Sequence, residues 1–318
     1  MAYPLQSLCD DKKRTESALN PDDFQPKDTL DIPFWIERPE QQLAPFIFSS
    51  PHSGRCYTAE FRNASRLSEL ELRSSEDSYV DLLYSKVSSC GVPFIAANFP
   101  RAYLDLNREP YELDPIVFKD PLPAYAKTSG TRVGSGLGTI ARIVSERKEI
   151  YRHKLSLEEG LERIETLYKP YHQTLRRELA LAHVNFGYAC LIDCHSMPSR
   201  VFQNANPNNR PDIVLGDRYG ASCHPMLVNS AKSILNHLGL RVDVNRPYAG
   251  GFITQHYGRP LKGLHALQIE IDRSLYMNEE TFEPVPHFQE LVNLFGRFAE
   301  LLIQCASDAL YPTAAAAE

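Results

Sequence analysis

The stretch PFIFSSPHSGR, residues 45–55, decides the architecture of this chain, because an apolar run ends there in polar residues. A run of this kind is typical of a buried strand. A strand whose only role is core packing does not require a histidine such as His52 just beyond its end. Open α/β sheets bind their ligands outside the carboxyl ends of the strands. The stretch therefore predicts a strand that carries a side chain to the rim of an active site.

Similar apolar runs alternate with amphipathic stretches along the chain. They predict strands at 45–50, 92–99, 188–193, 212–216, 240–245 and 265–271. The spacing of apolar residues predicts helices at 76–90, 156–185, 224–238 and 285–309. Ser156 and Glu159 have the spacing of a capping box at the start of the second helix. Strands separated by helices indicate an α/β protein with three α/β/α layers around a central mixed, mostly parallel sheet.

The chain has 318 residues, of which 43% are hydrophobic and 23% charged, as in ordinary globular proteins. Residues 1–32 are polar and rich in Pro and Asp, which predicts an irregular N-terminal arm. Residues 312–318 predict a frayed tail. No repeat and no linker divides residues 33–311, so we expect a single catalytic domain there.

Charge and composition exclude several classes of partner. The formal net charge is −6 and no block of Lys and Arg stands out, which argues against nucleic acid or an anionic membrane. No run of about 18 apolar residues and no secretory signal is found. The seven cysteines form no paired framework, which favours free thiols in the cytoplasm, Cys190 and Cys194 included. A substrate with carboxylates would need a local positive pocket.

Three strand ends carry polar groups that suit metal chemistry: His52, His195 and Glu270. Two histidines and a carboxylate are a frequent zinc set, with water in the fourth position. Asp193 shares a strand face with His195 and could orient its imidazole. The alternatives are a buried core role for His195 and a salt bridge of Glu270 with Arg273.

A further carboxylate could come from the acidic segment SED, residues 75–77. Glu76 and Asp77 follow Ser75 at the start of a predicted helix. Capping and the helix dipole also favour acids at this position. The residue types alone leave both interpretations open.

Arginines and two glycine-containing loops complete the candidates. Arg101 and the pair Asn107–Arg108 offer the planar donors that match a carboxylate, although pairs with neighbouring glutamates are equally consistent. The segment 245–260 contributes Tyr248, a Gly-Gly pair suited to close backbone approach, His256 and Arg259, or else it is a surface loop. The glycine-rich segment 132–142 lacks both nucleotide-binding patterns and predicts a lid.

A nucleophilic serine is the rival enzyme interpretation. Ser53 and Ser196 each neighbour a histidine in the sequence. The chain has no G-x-S-x-G elbow, and adjacent side chains on a strand point to opposite faces. A serine hydrolase is therefore disfavoured.

Several long motifs together resemble the N-formylglutamate amidohydrolase (deformylase) family. The resemblance runs in order from about residue 45 to residue 280. Its motifs are SSPHSGR, SEDSYVD, FPRAYLDLNREPYELDP, RVGSGLGTIARIV, LIDCHSMPS, PDIVLGDRYG, NRPYAGGFITQHYGRP and HALQIEIDRSLYMNEE.

The resemblance implies a zinc hydrolase that converts N-formyl-L-glutamate to formate and L-glutamate, the last step of one route of histidine degradation. It implies a fold similar to zinc carboxypeptidases and aspartoacylases. His52 and His195 would bind the metal, and Glu270 would act as general base. Arg101 would stabilise the oxyanion, while Asn107 and Arg108 would hold a substrate carboxylate.

One departure from those relatives matters. They take a metal ligand from a His-x-x-Glu motif, but Arg55 stands three residues after His52. We therefore expect the carboxylate ligand in SED, with Asp77 preferred over Glu76, and Arg55 facing the substrate. Arg142 or Arg259 would hold a second carboxylate.

Two other functions stay open at this point. One is a zinc-dependent deacylase or peptidase for another N-acyl amino acid, and the other is a non-catalytic protein that binds a dicarboxylate. The sequence leaves the oligomeric state open.

Overall fold

The structure, a computed structural model, describes residues 9–11, 19–203 and 210–310. Eight strands form one sheet in the order β1-β2-β4-β3-β5-β8-β6-β7. Their bounds are β1 Cys9–Asp11, β2 Phe34–Glu37, β3 Phe46–Ser50, β4 Phe94–Ala97, β5 Ala189–Met197, β6 Ile213–Gly216, β7 Val242–Val244 and β8 Leu264–Asp272.

The four central strands β4, β3, β5 and β8 run parallel to one another. Each edge carries a parallel pair, β1–β2 or β6–β7, that joins the centre in the antiparallel sense. The prediction of a mixed, mostly parallel sheet is therefore confirmed. The carboxyl ends of the central strands share one edge, which brings their following loops together.

Helices cover both faces of this sheet. Their bounds are α1 Ala59–Ala64, α2 Glu69–Arg73, α3 Val80–Leu83, α4 Thr131–Gly134, α5 Leu157–Arg163, α6 Lys169–Phe186, α7 Pro225–His237, α8 Phe252–Tyr257 and α9 Phe288–Leu310. One apolar core contains residues of α3, α7 and α9, and the second contains residues of α5, α6 and α8. Cys190 and Ile192 of β5 enter the first core, whereas Ala189 and Leu191 enter the second. The three-layer prediction is confirmed, and none of the described helices has the length and low polarity that crossing a membrane requires.

The predicted helix at 76–90 is wrong in extent. Its α-helical part is α3 alone, and Tyr79 before it has a left-handed φ of 66°. Ser75 donates its hydroxyl to the Leu72 carbonyl and caps no helix. The acids at 76 and 77 are buried and bonded to other parts of the chain, so they are not free to cap a helix.

The other predicted helices form close to their expected bounds. Residues 157–186 are helical throughout, with a π-helical segment at Ile164–Tyr168 between α5 and α6. Ser156 caps α5 by accepting a hydrogen bond from the Glu159 amide at 3.1 Å. Strands β1 and β2 were not predicted from the sequence.

Strand β1 falls within the segment 1–32 that is predicted to be an irregular arm. The division of the chain at residues 32 and 311 stays a prediction, and the predicted tail 312–318 lies outside the described residues. Cys190 and Cys194 are buried free thiols, as expected.

Candidate active site

A cavity of about 930 Å³ lies at the carboxyl ends of the central strands. His52 follows β3, and His195 of β5 lies directly opposite Glu270 of β8 in the strand register. Asp193 and Gln268 are paired two positions earlier. Because alternate side chains point to the same face of a sheet, these four residues of β5 and β8 face one side. Distant parts of the sequence thus meet at one polar wall.

His52, Asp77 and His195 form a candidate metal site. All three are buried, and one ligand atom from each lies within 4.8 Å of the others. Asp77 reaches the histidines because the chain turns just before α3 and its backbone amide donates to the His52 carbonyl at 3.0 Å. The break in the predicted helix is therefore the feature that delivers the carboxylate.

Two carboxylates hold the imidazole rings in place. His52 Nε2 lies 2.8 Å from Asp105 Oδ1, and His195 Nε2 lies 2.9 Å from Asp193 Oδ2. The opposite ring atoms then face the third ligand. His52 Nδ1 and His195 Nδ1 lie 3.4 Å and 2.9 Å from Asp77 Oδ2. A carboxylate behind each ligating histidine is the common arrangement at zinc sites, where it sets the tautomer and the ring orientation.

The donor set fits a divalent cation. His52 Nδ1 is buried with no hydrogen-bond partner among the described residues, although buried polar atoms are normally satisfied. Burial raises the pKa of Asp77, but the hydrogen bond from His195 and the nearby charges of His195 and His52 outweigh it and hold that pKa well below its usual value. Asp77 is therefore a carboxylate between two imidazoles, and two nitrogens plus one oxygen are typical zinc ligands.

Glu270 lies beside this set and has a perturbed acidity. Burial raises the pKa of Glu270 to about 7, against the opposing charge of His195. Gln268 donates to Glu270 Oε1 at 2.8 Å and so orients the carboxyl group. The second oxygen of Glu270 has no hydrogen bond to any residue that the structure describes. A carboxylate with such a pKa can both take and return a proton near neutral pH.

Asp105 is a site residue that the sequence analysis missed. It contacts His52 with one oxygen, and its other oxygen accepts from Arg101 Nε at 2.9 Å. The signal was present in the sequence, since Asp105 shares the YLDLNRE segment with Asn107 and Arg108. An acid between two arginines is equally typical of a surface ion pair, so the residue type alone does not identify Asp105 as a site residue.

Arg273 has a different partner from the one considered. It donates to Asp77 Oδ1 at 3.0 Å and to the hydroxyl of Ser196 at 3.1 Å, rather than forming a salt bridge with Glu270. Asp77 is thus held by its backbone, by a histidine and by an arginine. Such support is expected to give the carboxylate one orientation.

Asn107 and Arg108 line the cavity but are largely engaged in holding the loop. Asn107 Oδ1 accepts from the Ile253 amide at 2.8 Å. Arg108 donates to the carbonyls of Leu137 and Asn107 at 2.8 Å and 2.7 Å. Asn107 Nδ2 lies 3.3 Å from His195 Nε2, so one of its two N–H groups and part of the Arg108 guanidinium are the donors left for a ligand.

Helix α6 and the π-helical segment before it hold the backbone of the loop that carries Asn107 and Arg108. Tyr168 donates to the Arg108 carbonyl at 2.6 Å, and His172 Nε2 donates to the Leu106 carbonyl at 2.9 Å. Burial lowers the pKa of His172 to about 3, so the ring is neutral and its burial does not require the desolvation of a charge.

The Gly250–Gly251 pair serves a close backbone approach. A Cβ added to Gly251 would lie 2.3 Å from Asn107 Nδ2, far inside contact distance. Only glycine therefore lets the 245–260 segment pack on Asn107. Tyr248 of the same segment lines the cavity.

Four predicted site residues do not enter the cavity. Arg55 pairs with Asp81 of α3 at 2.9 Å and also donates to the Asp23 carbonyl, so its donors are engaged away from the cavity. Glu76 is buried against Tyr57, which donates to it at 2.8 Å. The remaining two, His256 and Arg259, line a separate surface pocket. Arg142 does line the cavity, but Asp114 at 2.8 Å and Glu149 at 3.3 Å already pair with it.

Replacing Asp105 with asparagine tests its support of His52. We expect Zn²⁺ affinity to fall about 10- to 100-fold, the usual cost of losing a carboxylate behind a ligating histidine. Competition with a chromophoric chelator measures this affinity. Asp114→Asn is the matched control, since Asp114 is equally buried but contacts Arg142 instead of a histidine. Equal affinities in wild type and Asp105→Asn would contradict the assignment.

The fold and the site together define an enzyme of α/β architecture in which a carboxyl group of raised pKa adjoins a candidate metal centre. Residues 44–277 match the protein-family model described as N-formylglutamate amidohydrolase. The chain belongs to this N-formylglutamate amidohydrolase family.

Individual relatives agree with this assignment. An N-formylglutamate deformylase of Pseudomonas putida is 33% identical over 254 residues, which cover 79% of this chain and 88% of the relative. A deformylase of the same name from Pseudomonas aeruginosa is 30% identical, covering 74% and 83% of the two chains. The crystal structure of an N-formylglutamate amidohydrolase from Ralstonia eutropha superposes with a TM-score of 0.80 at 34% identity, covering 86% of this chain and 97% of that one.

Proposed function

We propose that this protein hydrolyses N-formyl-L-glutamate to formate and L-glutamate. The observation that carries the proposal is the convergence of the His52–Asp77–His195 set and Glu270 at one cavity. The relatives named N-formylglutamate deformylase support the substrate. The activity would complete a route of histidine degradation, and the buried free thiols favour a reducing cytoplasm as its place.

His52, Asp77 and His195 would hold one divalent cation, for which Zn²⁺ is the best match to two nitrogens and one oxygen. When bound, such a cation polarises an amide carbonyl and lowers the pKa of water. The buried Nδ1 atom of His52 supports this occupancy, because it has no hydrogen bond to any described residue.

Glu270 acts as the proton carrier of the reaction. It takes a proton from the water that attacks the formyl carbon, and it delivers that proton to the amine nitrogen as the C–N bond breaks. A pKa raised to about 7 by burial suits both directions of transfer at neutral pH. The hydrogen bond from Gln268 keeps one carboxyl oxygen engaged, so the other is free to face the substrate.

Arg101 stabilises the negative charge that develops on the formyl oxygen. Its Nε is paired with Asp105, while the side chain is 28% exposed and lines the cavity, so its remaining donors are open to a ligand. The substrate carboxylate nearest the amide would be bound by Asn107 Nδ2 and by the open edge of Arg108.

Replacing Arg101 with methionine is expected to lower kcat about 10²- to 10³-fold while changing KM little. Donors aimed at an oxyanion act mainly in the transition state, and losing one costs about 3 kcal/mol. Steady-state formate release gives both constants. A rise in KM without a loss of kcat would show instead that Arg101 holds the ground-state substrate.

The decisive experiment is formate release by the zinc-loaded protein from N-formyl-L-glutamate, compared with N-acetyl-L-glutamate and N-formyl-L-aspartate. We expect turnover of N-formyl-L-glutamate that chelator abolishes and Zn²⁺ restores. Preference for the acetyl compound would favour a deacylase for another N-acyl amino acid. Stoichiometric binding of glutamate without any formate release would favour a dicarboxylate-binding protein.

A further inference from the structure

The cavity holds more positive charge than the proposed chemistry at the metal centre uses. Arg132 of α4 lines it, together with Arg101 and Arg108. Arg132 is half-buried, and its guanidinium has no ion pair and no hydrogen bond to any residue that the structure describes. A half-buried arginine without an ion pair leaves its donors and its charge available, so an anionic ligand is a suitable partner.

Other arginines at the cavity differ from Arg132 in this respect. Arg142 is paired with Asp114 and Glu149, and Arg273 with Asp77. Arg101 and Arg108 share Asp105. Arg132 is therefore a half-buried arginine of this cavity that has no acidic partner among the described residues.

The charges of Arg132 and its neighbours repel one another. Burial, together with the charges of Arg101 and Arg132, lowers the pKa of Arg108 to about 10 against the opposing effect of Asp105. An anion placed between the guanidinium groups would relieve this repulsion. Arginine forks match carboxylates in particular, through two parallel hydrogen bonds.

The glycine-rich segment sets the position of Arg132. A Cβ on Gly138 would lie 2.4 Å from the Glu112 carbonyl oxygen, so this stretch packs directly on the 109–114 segment. Backbone hydrogen bonds close the turn, including Leu137 N to the Arg132 carbonyl at 2.9 Å. The motif that resembles a nucleotide loop in composition is thus a tight turn that presents an arginine to the cavity.

We propose that Arg132 binds the side-chain carboxylate of N-formylglutamate and selects substrates with an acidic group at that position. The proposal rests on the function proposed above and names the residue that binds the second carboxylate of the substrate. Arg108 is linked through Asp105 to His52, which suits the α-carboxylate next to the amide. Arg132 contacts none of the candidate metal ligands, which suits the carboxylate two methylene groups farther along the substrate.

The test compares Arg132→Met with wild type on two substrates, N-formyl-L-glutamate and N-formyl-L-glutamine, which have the same shape but differ in side-chain charge. We expect kcat/KM for the glutamate compound to fall about 10- to 100-fold, mainly through KM, as for loss of a charge-assisted hydrogen bond. The glutamine compound should change less than about threefold, because its side chain offers no charge to Arg132.

Arg147→Met is the matched control, since Arg147 lines the same cavity but is exposed. We expect it to leave the preference between the two substrates unchanged. Arg132→Lys keeps the charge and should restore part of the preference, which also guards against a misfolded methionine variant. Circular dichroism and zinc content confirm that each variant is folded and loaded.

The outcomes separate the two proposals. Equal losses for both substrates in Arg132→Met, or an equal effect in Arg147→Met, contradict the subsite while leaving the proposed function in place. A zinc-loaded wild type that releases no formate from either substrate contradicts the proposed function and, with it, the subsite.

Discussion

Replacing Glu270 with glutamine is expected to lower kcat for formate release about 10²- to 10⁴-fold while Zn²⁺ binding stays stoichiometric. General acid–base catalysis contributes about this much, and an amide can neither take nor return the proton. Glutamine has nearly the same shape, so the contact with Gln268 at 2.8 Å can persist. Steady-state kinetics and metal analysis of the same preparation measure the two effects.

Glu149→Gln provides the matched control for this variant. Glu149 is a carboxylate that lines the same cavity, but it is exposed and pairs with Arg142 and Arg66. Its replacement should leave kcat within about twofold of wild type, as is usual for weak exposed ion pairs. If Glu270→Gln retains more than about a tenth of the wild-type kcat, Glu270 does not carry the proton.

The second large effect is expected for Asp77→Asn, which should lose tightly bound Zn²⁺ and, with it, formate release. The affinity should fall by more than the about 10- to 100-fold that residues behind the ligands contribute. Asparagine keeps the size of the side chain but not the negative charge that pairs with Arg273 at 3.0 Å. Zinc affinity by chelator competition measures the loss, after circular dichroism has confirmed the fold.

Glu76→Gln separates Asp77 from its neighbour, the other acid that the sequence offers as a ligand. Glu76 is buried against Tyr57 and Ser78 and belongs to no candidate metal cluster among the residues that the structure describes. We expect this variant to keep its zinc affinity even if its stability falls. Normal zinc binding by Asp77→Asn together with loss in Glu76→Gln would reverse the ligand assignment.

The rival serine mechanism has no support in the hydrogen bonds of either serine. Ser196 accepts from Arg273 Nε and lies 3.4 Å from Asp77, while Ser53 accepts from the hydroxyl of Ser50. Neither hydroxyl forms a hydrogen bond with an imidazole of the described residues. These contacts agree with strand geometry, which points adjacent side chains to opposite faces of the sheet.

Several parts of the site followed from local pattern. His52, His195 and Glu270 could be singled out because each polar residue interrupts or ends an apolar run, and parallel strands bring such ends to one edge. Asp193 could be proposed as the orienting partner of His195 because a two-residue spacing shares a strand face.

Other residues could not be assigned in this way. Arg55, Arg142 and Arg259 are all cations within motifs, and their sequence neighbours do not reveal which acid each one meets. The structure pairs Arg55 with Asp81 and Arg142 with Asp114, and it places Arg259 at another pocket. Ion pairing joins residues that are far apart along the chain, so it is a property of the folded arrangement.

By itself, the sequence determined the alternation of strands and helices, the family and the polar residues at the strand ends, because periodicity and motif are local properties of the chain. Only the tertiary structure decided that Asp77 rather than Glu76 faces the two histidines, that Asp105 supports His52, and that no residue which the structure describes pairs with Arg132. These outcomes depend on a turn before α3 and on contacts between distant loops. Such contacts are set by packing in three dimensions, which no single stretch of sequence contains.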